Sequence, residues 1–290
     1  MPELKRIDAH QHYWRIARGD YDWMTADMRS IRRDYLPEDL MPSLIKHNFS
    51  GSIAVQAAAT YEETNFLLDL AASDSTILGV VGWVDPYDEQ WMTRIEAYRR
   101  IPKWRGYRLM VEYLDNPYSL LEGTSKELLI YSSLENISID ILVRCDQLSF
   151  VLDLIDRFPN LRVILDHMGK PTMKPEDFSR WAECIKQISS NKRVYVKISG
   201  MVTEAKRSYG CYMPDFDFHP YIDHVVDVFG PRRVVFGSDW PVCLLATGYS
   251  EVVEIVERYL QSRMDASLWE GLWGTNAAEF YGLQRVSGDV

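Results

Sequence analysis

The sequence predicts a single α/β domain, a (β/α)8 barrel of the TIM type, on three observations. Eight short β-branched or apolar runs recur along the chain, helical patterns fall between them, and 290 residues suit a fold that typically takes about 250. Strand then helix, repeated, means parallel strands joined by crossover helices. Eight is the count at which such a sheet closes on itself.

Taken in order, Leu4 to Ala9 is the first strand and leads into the string IDAHQHYW. Ser52 to Ala57, Ile77 to Val84 and Gly106 to Met110 follow as the second to fourth strands, and Ile137 to Val143 is the fifth. In Asp146 to Phe158 the residues Leu148, Val151, Leu152, Ile155 and Phe158 recur at helical spacing until Pro159 stops the helix. Val163 to Asp166 is the sixth strand, and Glu176 to Ile188 repeats the helical stripe through Phe178, Trp181, Ile185 and Ile188, read as core packing. After the seventh strand, Val194 to Ile198, a helix from Tyr221 to Phe229 ends at Gly230-Pro231, a C-cap glycine and a proline that cannot continue it. Val234 to Phe236 is the eighth strand. Asp85 reads as the N-cap of a helix begun by Pro86. Arg15 to Pro37 and Val202 to Pro220 fall outside the alternation and are expected as long loops near the site, of a kind that often act as lids.

Apolar residues make up 47% and charged residues 26% of the chain, the balance of a globular protein with a large core. A net charge of −10 and no visible basic patch argue against nucleic-acid and anionic-membrane partners. No run approaches the roughly 20 apolar residues of a membrane helix, and the opening MPELKRIDAHQ carries no stretch fit for a secretory signal. The cytoplasm is the expected compartment; a homo-oligomer is compatible with the chain. Cys145, Cys184, Cys211 and Cys243 show no CxxC spacing and read as reduced, mostly buried thiols.

Side chains in a strand alternate, so His10 and His12 share one side with Gln11 opposite. Two adjacent imidazoles suggest a bound metal or a shared anion. In barrels of this type chemistry lies at the C-terminal ends of the strands. The polar residues there are His10 and His12, Gln56, Trp83, Arg108, Arg144, His167, Lys197 within VYVKIS, and Asp239 in GSDWP. His47, His219 and His224 stand in helical or loop contexts and are assigned to structure.

The strings IDAHQHYW, RRDYLPEDL, AVQA, GVVGWVD, LDHMGKP, KISGMVTEA, FGSDWPVC and GTNAAEFYGL stand in order from residue 7 to about 283. Together they resemble the amidohydrolase-related lactonases, the branch that opens sugar-acid and related lactones. The resemblance implies a hydrolase on a distorted (β/α)8 barrel that opens the ring ester of a small lactone, such as L-fuconolactone or L-rhamnonolactone, in carbohydrate catabolism. It implies that His10, His12 and Asp239 hold a divalent metal, a single Zn2+, and that His167 is a ligand or a general acid/base. Two departures stand beside it. Val143-Arg144 occupies the place after the fifth strand where single-metal relatives carry a further histidine, and Leu109 follows Arg108 where many sugar lactonases have a histidine. Because this branch includes metal-free lactonases, zinc is left open.

On this reading Asp239 accepts a proton from the attacking water and returns it to the ring oxygen. His167, Lys197 and Arg108 would polarise the carbonyl if no metal did so. Arg108 and Arg144 would clamp an anionic substituent, and Gln56, Trp83 and Trp240 would line the ring face. The alternatives are a hydrolase of anionic muconolactone or dicarboxylate lactones, and a non-catalytic ligand-binding barrel.

Overall fold

Eight strands with almost wholly buried side chains require cover on both faces, which an all-parallel sheet wrapped in helices supplies. The computed structural model describes residues 6–263 and 265–283 and shows that arrangement. The strands are β1 (Ile7–Gln11), β2 (Gly51–Val55), β3 (Ile77–Gly82), β4 (Trp104–Met110), β5 (Ser138–Leu142), β6 (Arg162–Leu165), β7 (Val194–Ile198) and β8 (Val234–Phe236), hydrogen-bonded in chain order. Every pairing is parallel, as in Tyr107 opposite Ile139 and Ile164 opposite Tyr195. The seam between β8 and β1 closes at one end, where the His12 amide donates to the Trp240 carbonyl at 2.7 Å and the Asp239 amide to the His10 carbonyl at 2.8 Å. That seam sets the end of the first strand against the end of the last. Leu4 and Lys5, expected in the first strand, lie outside the described residues.

Helices α1 (Pro37–Lys46), α2 (Tyr61–Ser73), α3 (Trp91–Arg99), α4 (Gly123–Leu134), α5 (Leu148–Arg157) and α6 (Pro175–Ile188) cross between successive strands. α7 (Met201–Tyr209) and α8 (His219–Phe229) both follow β7, and α9 (Tyr249–Arg263), α10 (Ala266–Glu270) and α11 (Asn276–Phe280) follow β8. Two expectations are corrected. The helix after Asp85 begins at Trp91, and Asp85 instead accepts from the Tyr87 amide at 2.9 Å in a local turn. The first half of Val202 to Pro220 is helical, because Met201, Val202 and Ala205 form a buried face that Gly210 ends in a left-handed C-cap. No helix among the described residues is long and apolar enough to cross a membrane.

The barrel interior is layered by the period-two alternation of its strands. Along β7, Tyr195 packs on Phe280, Lys197 follows, and Ser199 just beyond the strand bonds His167. Along β5, Ser138 donates to the Phe280 carbonyl, Asp140 meets Lys197, and Leu142 reaches the cavity. The lowest layer is apolar: Ile7, Ala9, Ile53, Val55, Val81, Ile164 and Val235 enclose Ala277, Phe280 and Tyr281 of the C-terminal segment. That segment plugs the end where the strands begin, tied by Arg162 to the carbonyls of Glu279 and Phe280 and by Asn276 to the carbonyl of Val234. The cysteines are all free, but Cys243 alone among them is buried, so the thiols are less enclosed than expected.

Candidate active site

At the opposite end, the register of β1 against β2 shifts between Asp8 and Gln11. Ala9 belongs to the interior apolar layer, and His10 and His12 face the cavity end just beyond it. Gln11 points away and donates to Ser52 at 3.0 Å. The two Nε2 atoms are 3.2 Å apart. His12 Nδ1 donates to the Val55 carbonyl at 2.8 Å, which leaves its Nε2 lone pair free. Asp239 Oδ1 stands 3.4 Å from His12 Nε2, 3.8 Å from His10 Nε2 and 3.9 Å from His167 Nε2. Three ring nitrogens therefore lie within 4 Å of one carboxylate oxygen.

The backbone there is strained in a consistent way. His167, Met168, Lys170, Met173 and Asp239 all have left-handed φ values, between 48° and 59°, a conformation that costs about 1–3 kcal/mol at such residues and clusters at functional sites. Room for the rings is made by two glycines. A Cβ on Gly237 would come within 2.5 Å of His10 Cβ, and one on Gly200 within 2.7 Å of His167 Nδ1.

Burial, helped by the Lys197 charge, holds the His10 imidazole well below the usual histidine range, and burial does the same for His167. Both rings are neutral, so each carries one unprotonated nitrogen. Burial would raise the Asp239 carboxyl, but His167 and His12 outweigh it and hold the group below its ordinary value. Asp239 is therefore ionised. Ligands about 2.0–2.1 Å from a tetrahedral cation lie roughly 3.3 Å from one another; His12 stands 3.2 Å from His10 and 3.4 Å from Asp239, and His10 lies 3.8 Å from Asp239. Neutral imidazoles and an ionised carboxylate are the donor set such a cation takes, so His10, His12 and Asp239 fit a divalent ion, and His10, Asp166 and His167 form a second, overlapping group.

Beneath this cluster lies a buried charged layer. Lys197 pairs with Asp140 and, at 3.0 Å, with Asp166, and its Nζ lies 2.9 Å from His10 Nδ1. Tyr281 OH donates to Asp140 at 3.0 Å. Asp166 also faces His10 Nδ1 at 3.3 Å and Arg108 at 3.4 Å. Its neighbours Lys197, His10 and Arg108 overcome burial and hold it well below the carboxylate range, while burial pushes Asp140 up to about 6.

The cluster floors a cavity of about 830 Å3. Arg108 and His167 line it, together with Met110 and Leu142. Trp23, Thr25 and Met28 come from the Arg15 to Pro37 stretch, and Glu204, Arg207 and Gly210 from α7 and its end. The first of these stretches is anchored rather than loose: Tyr21 donates to buried Glu63 on α2 at 2.8 Å, and Trp14, Ile31 and Tyr35 are buried.

Several residues expected at the cavity wall stand elsewhere. Lys197 is wholly buried one layer below, held by two carboxylates, and does not reach a substrate carbonyl. Arg144 turns outward, exposed, to Asp146 and the Glu112 carbonyl. Trp83 packs on Tyr61, and Trp240 on Tyr13 and Tyr35; neither lines the cavity. Gln56 sits behind Arg108, accepting from its guanidinium through the backbone carbonyl. The sequence reading did not single out Asp140, Asp166, Ser199, Glu112, Lys170 or Glu204. A signal existed for the first: Asp140 in ISIDIL and Lys197 in VYVKIS are lone charges inside apolar strands, which must pair to be buried.

A parallel barrel with this cluster at the mouth of its strands is the framework of barrel hydrolases that activate water. The chain belongs to the amidohydrolase family, whose model, described as Amidohydrolase, matches residues 7–283. It is 37% identical over 285 residues to an L-fucono-1,5-lactonase of Burkholderia multivorans, covering 96% of each chain. It is 33% identical over 297 residues to an L-fucono-1,5-lactonase of Burkholderia ambifaria, covering 98% of each. A solved amidohydrolase from Burkholderia multivorans with bound zinc superposes with a TM-score of 0.91 at 37% identity, over 96% of this chain and 99% of that one.

Proposed function

We propose that this chain hydrolyses the ring ester of a sugar-acid lactone, with L-fucono-1,5-lactone, the substrate named for its relatives, as the first compound to test. The observation that carries the reading is the gathering of His10, His12 and His167 around ionised Asp239 at the floor of the cavity. A divalent cation on His10, His12 and Asp239 would polarise the ester carbonyl and lower the pKa of a bound water.

The chain's own groups then have these tasks. Asp239 takes a proton from the water as its oxygen bonds to the carbonyl carbon. Arg108, held by Asp166 and Gln56 with no partner for its Nε among the described residues, faces the charge that develops on the carbonyl oxygen. The bond from the carbonyl carbon to the ring oxygen breaks, and that oxygen leaves as a hydroxyl with the proton that Asp239 took from the water, while neutral His167, its Nδ1 fixed on Ser199 at 2.8 Å, stands beside Asp239. The hydroxy acid formed ionises and releases one proton.

Anionic dicarboxylate lactones are disfavoured by the charges around the cavity. Among the described residues three of its cations are already engaged, Arg108 by Asp166, Lys170 by Glu112 and Lys206 by the Leu245 carbonyl, and the fourth, Arg207, is half exposed between Glu204 and Glu112. Acid release in weak buffer from L-fucono-1,5-lactone, an unsubstituted δ-lactone and a dicarboxylate lactone tests this directly. Preference for the sugar lactone is expected. Equal or faster opening of the dicarboxylate would overturn the substrate class, and no acid release from any of them would overturn the reaction.

A further inference from the structure

We infer that Glu204 is the specificity-determining residue of the cavity, accepting hydrogen bonds from the substrate's hydroxyl groups, so that the lactone taken is polyhydroxylated and neutral. The inference rests on the proposed ester hydrolysis and adds the group that selects for it. Gly200, pressed against the His167 ring, fixes where α7 begins. One turn on, Glu204 stands in the cavity wall with 9% of its side chain exposed.

Two nearly buried glutamates show the contrast. Glu63 accepts from the Ala57 amide at 2.9 Å through one oxygen and from Tyr21 OH at 2.8 Å through the other. Glu204 accepts no hydrogen bond from the described residues; its nearest cation is Arg207, at 3.4 Å and itself 54% exposed. A buried carboxylate has about four acceptor sites and ordinarily finds donors for them. Here the open side of the group is the cavity, so donors must come from what binds there. Burial raises the Glu204 carboxyl, and hydroxyl donors would offset that.

The neighbours choose between donor types. Glu112, like Glu204 a cavity-lining carboxylate, repels an anionic substituent, and the Lys170 and Arg207 charges facing Glu112 repel a cationic one. Neutral hydroxyls suit both. A ring carrying several of them would lie against this wall while its ester faces Asp239.

The test measures kcat/KM of the wild type, Glu204→Gln and Glu204→Ala on L-fucono-1,5-lactone and on its single-deoxy analogues. Removing a hydrogen bond to a charged group predicts a roughly 10- to 100-fold loss on the parent lactone. For at least one deoxy position, where the hydroxyl read by Glu204 is already gone, the loss on substitution should shrink to within about threefold. An equal loss on every lactone would make Glu204 a structural or proton-transfer residue and overturn the inference, as would less than threefold loss on the parent. Wild-type protein that opens no hydroxylated lactone sinks the proposed function and this inference with it, whereas turnover with additive losses sinks the inference alone. Glu204→Gln keeps the shape of the side chain, and its melting temperature beside the wild type separates lost recognition from lost fold.

Discussion

The two ends of the barrel interior are made by the same eight strands. Where the strands begin, Phe280 and Tyr281 fill the lumen, and strand-end side chains take up the carbonyls of the plug. Where the strands end, three imidazole nitrogens gather around a carboxylate at the floor of the cavity, on a backbone with five left-handed non-glycine residues. One end is filled by its own chain; the other opens on the cavity. The charged layer of Asp140, Lys197 and Asp166 divides them. The contrast teaches that changes at the closed end should cost stability and changes at the open end should cost turnover.

The largest effect expected is at the open end. Asp239→Asn removes the proton acceptor and should lower kcat/KM by about 10^2- to 10^4-fold while the melting temperature stays within a few degrees. Turnover within tenfold of the parent would break the assignment. In the dividing layer, Lys197→Met leaves two buried carboxylates short of a partner and should cost about 3–5 kcal/mol in denaturant unfolding at neutral pH. Its pH dependence sharpens the comparison. Asp140 is already raised to about 6 in the fold, so the stability its protonated form contributes is present below the ordinary aspartate value and is lost as pH rises through the folded one. The deficit of Lys197→Met should therefore be larger at pH 8 than at pH 5; a deficit independent of pH would show that Asp140 is not the group left stranded.

At the closed end, Phe280→Ala opens a cavity in a well-packed layer and should cost about 3 kcal/mol of stability. Turnover per folded molecule should fall less than threefold. A larger loss of kcat with unchanged melting would mean that the plug and the site are coupled through Tyr281 and Asp140. Smallest of all, Arg144→Ala should change neither melting nor kcat/KM beyond about twofold, because its guanidinium lies on an exposed pair with Asp146. A tenfold rise in KM would restore it to the substrate site.

Much of this was legible in one dimension. Val194–Ile198 and Val234–Phe236 were bounded to the residue, because short apolar runs between turn residues have few other readings. Strand alternation put His10 and His12 on one side, and the site emerged at the strand ends where barrels carry chemistry. Arg144 and Lys197 were misplaced for a single reason: ending a strand says that a residue is near the mouth, not whether it points into the lumen, outward, or one layer down. Asp166 went unremarked beside His167 because its partners come from β1, β4 and β7. Glu204 looked like one more charge on a helix, since a carboxylate without donors is visible only when its surroundings are counted.

What the sequence by itself determined is local: buried runs of strand length, helices with one apolar face, and a pair of imidazoles at a spacing of two. These follow from backbone periodicity and the transfer of apolar surface out of water, which need only near neighbours. The tertiary structure alone decided that Asp239 meets His10 and His12, that Lys197 lies beneath them, and that Glu204 stands open to the cavity. Those outcomes depend on closing β8 against β1 and on where each strand's inward layer falls, and closure joins residues from opposite ends of the chain that no local pattern relates.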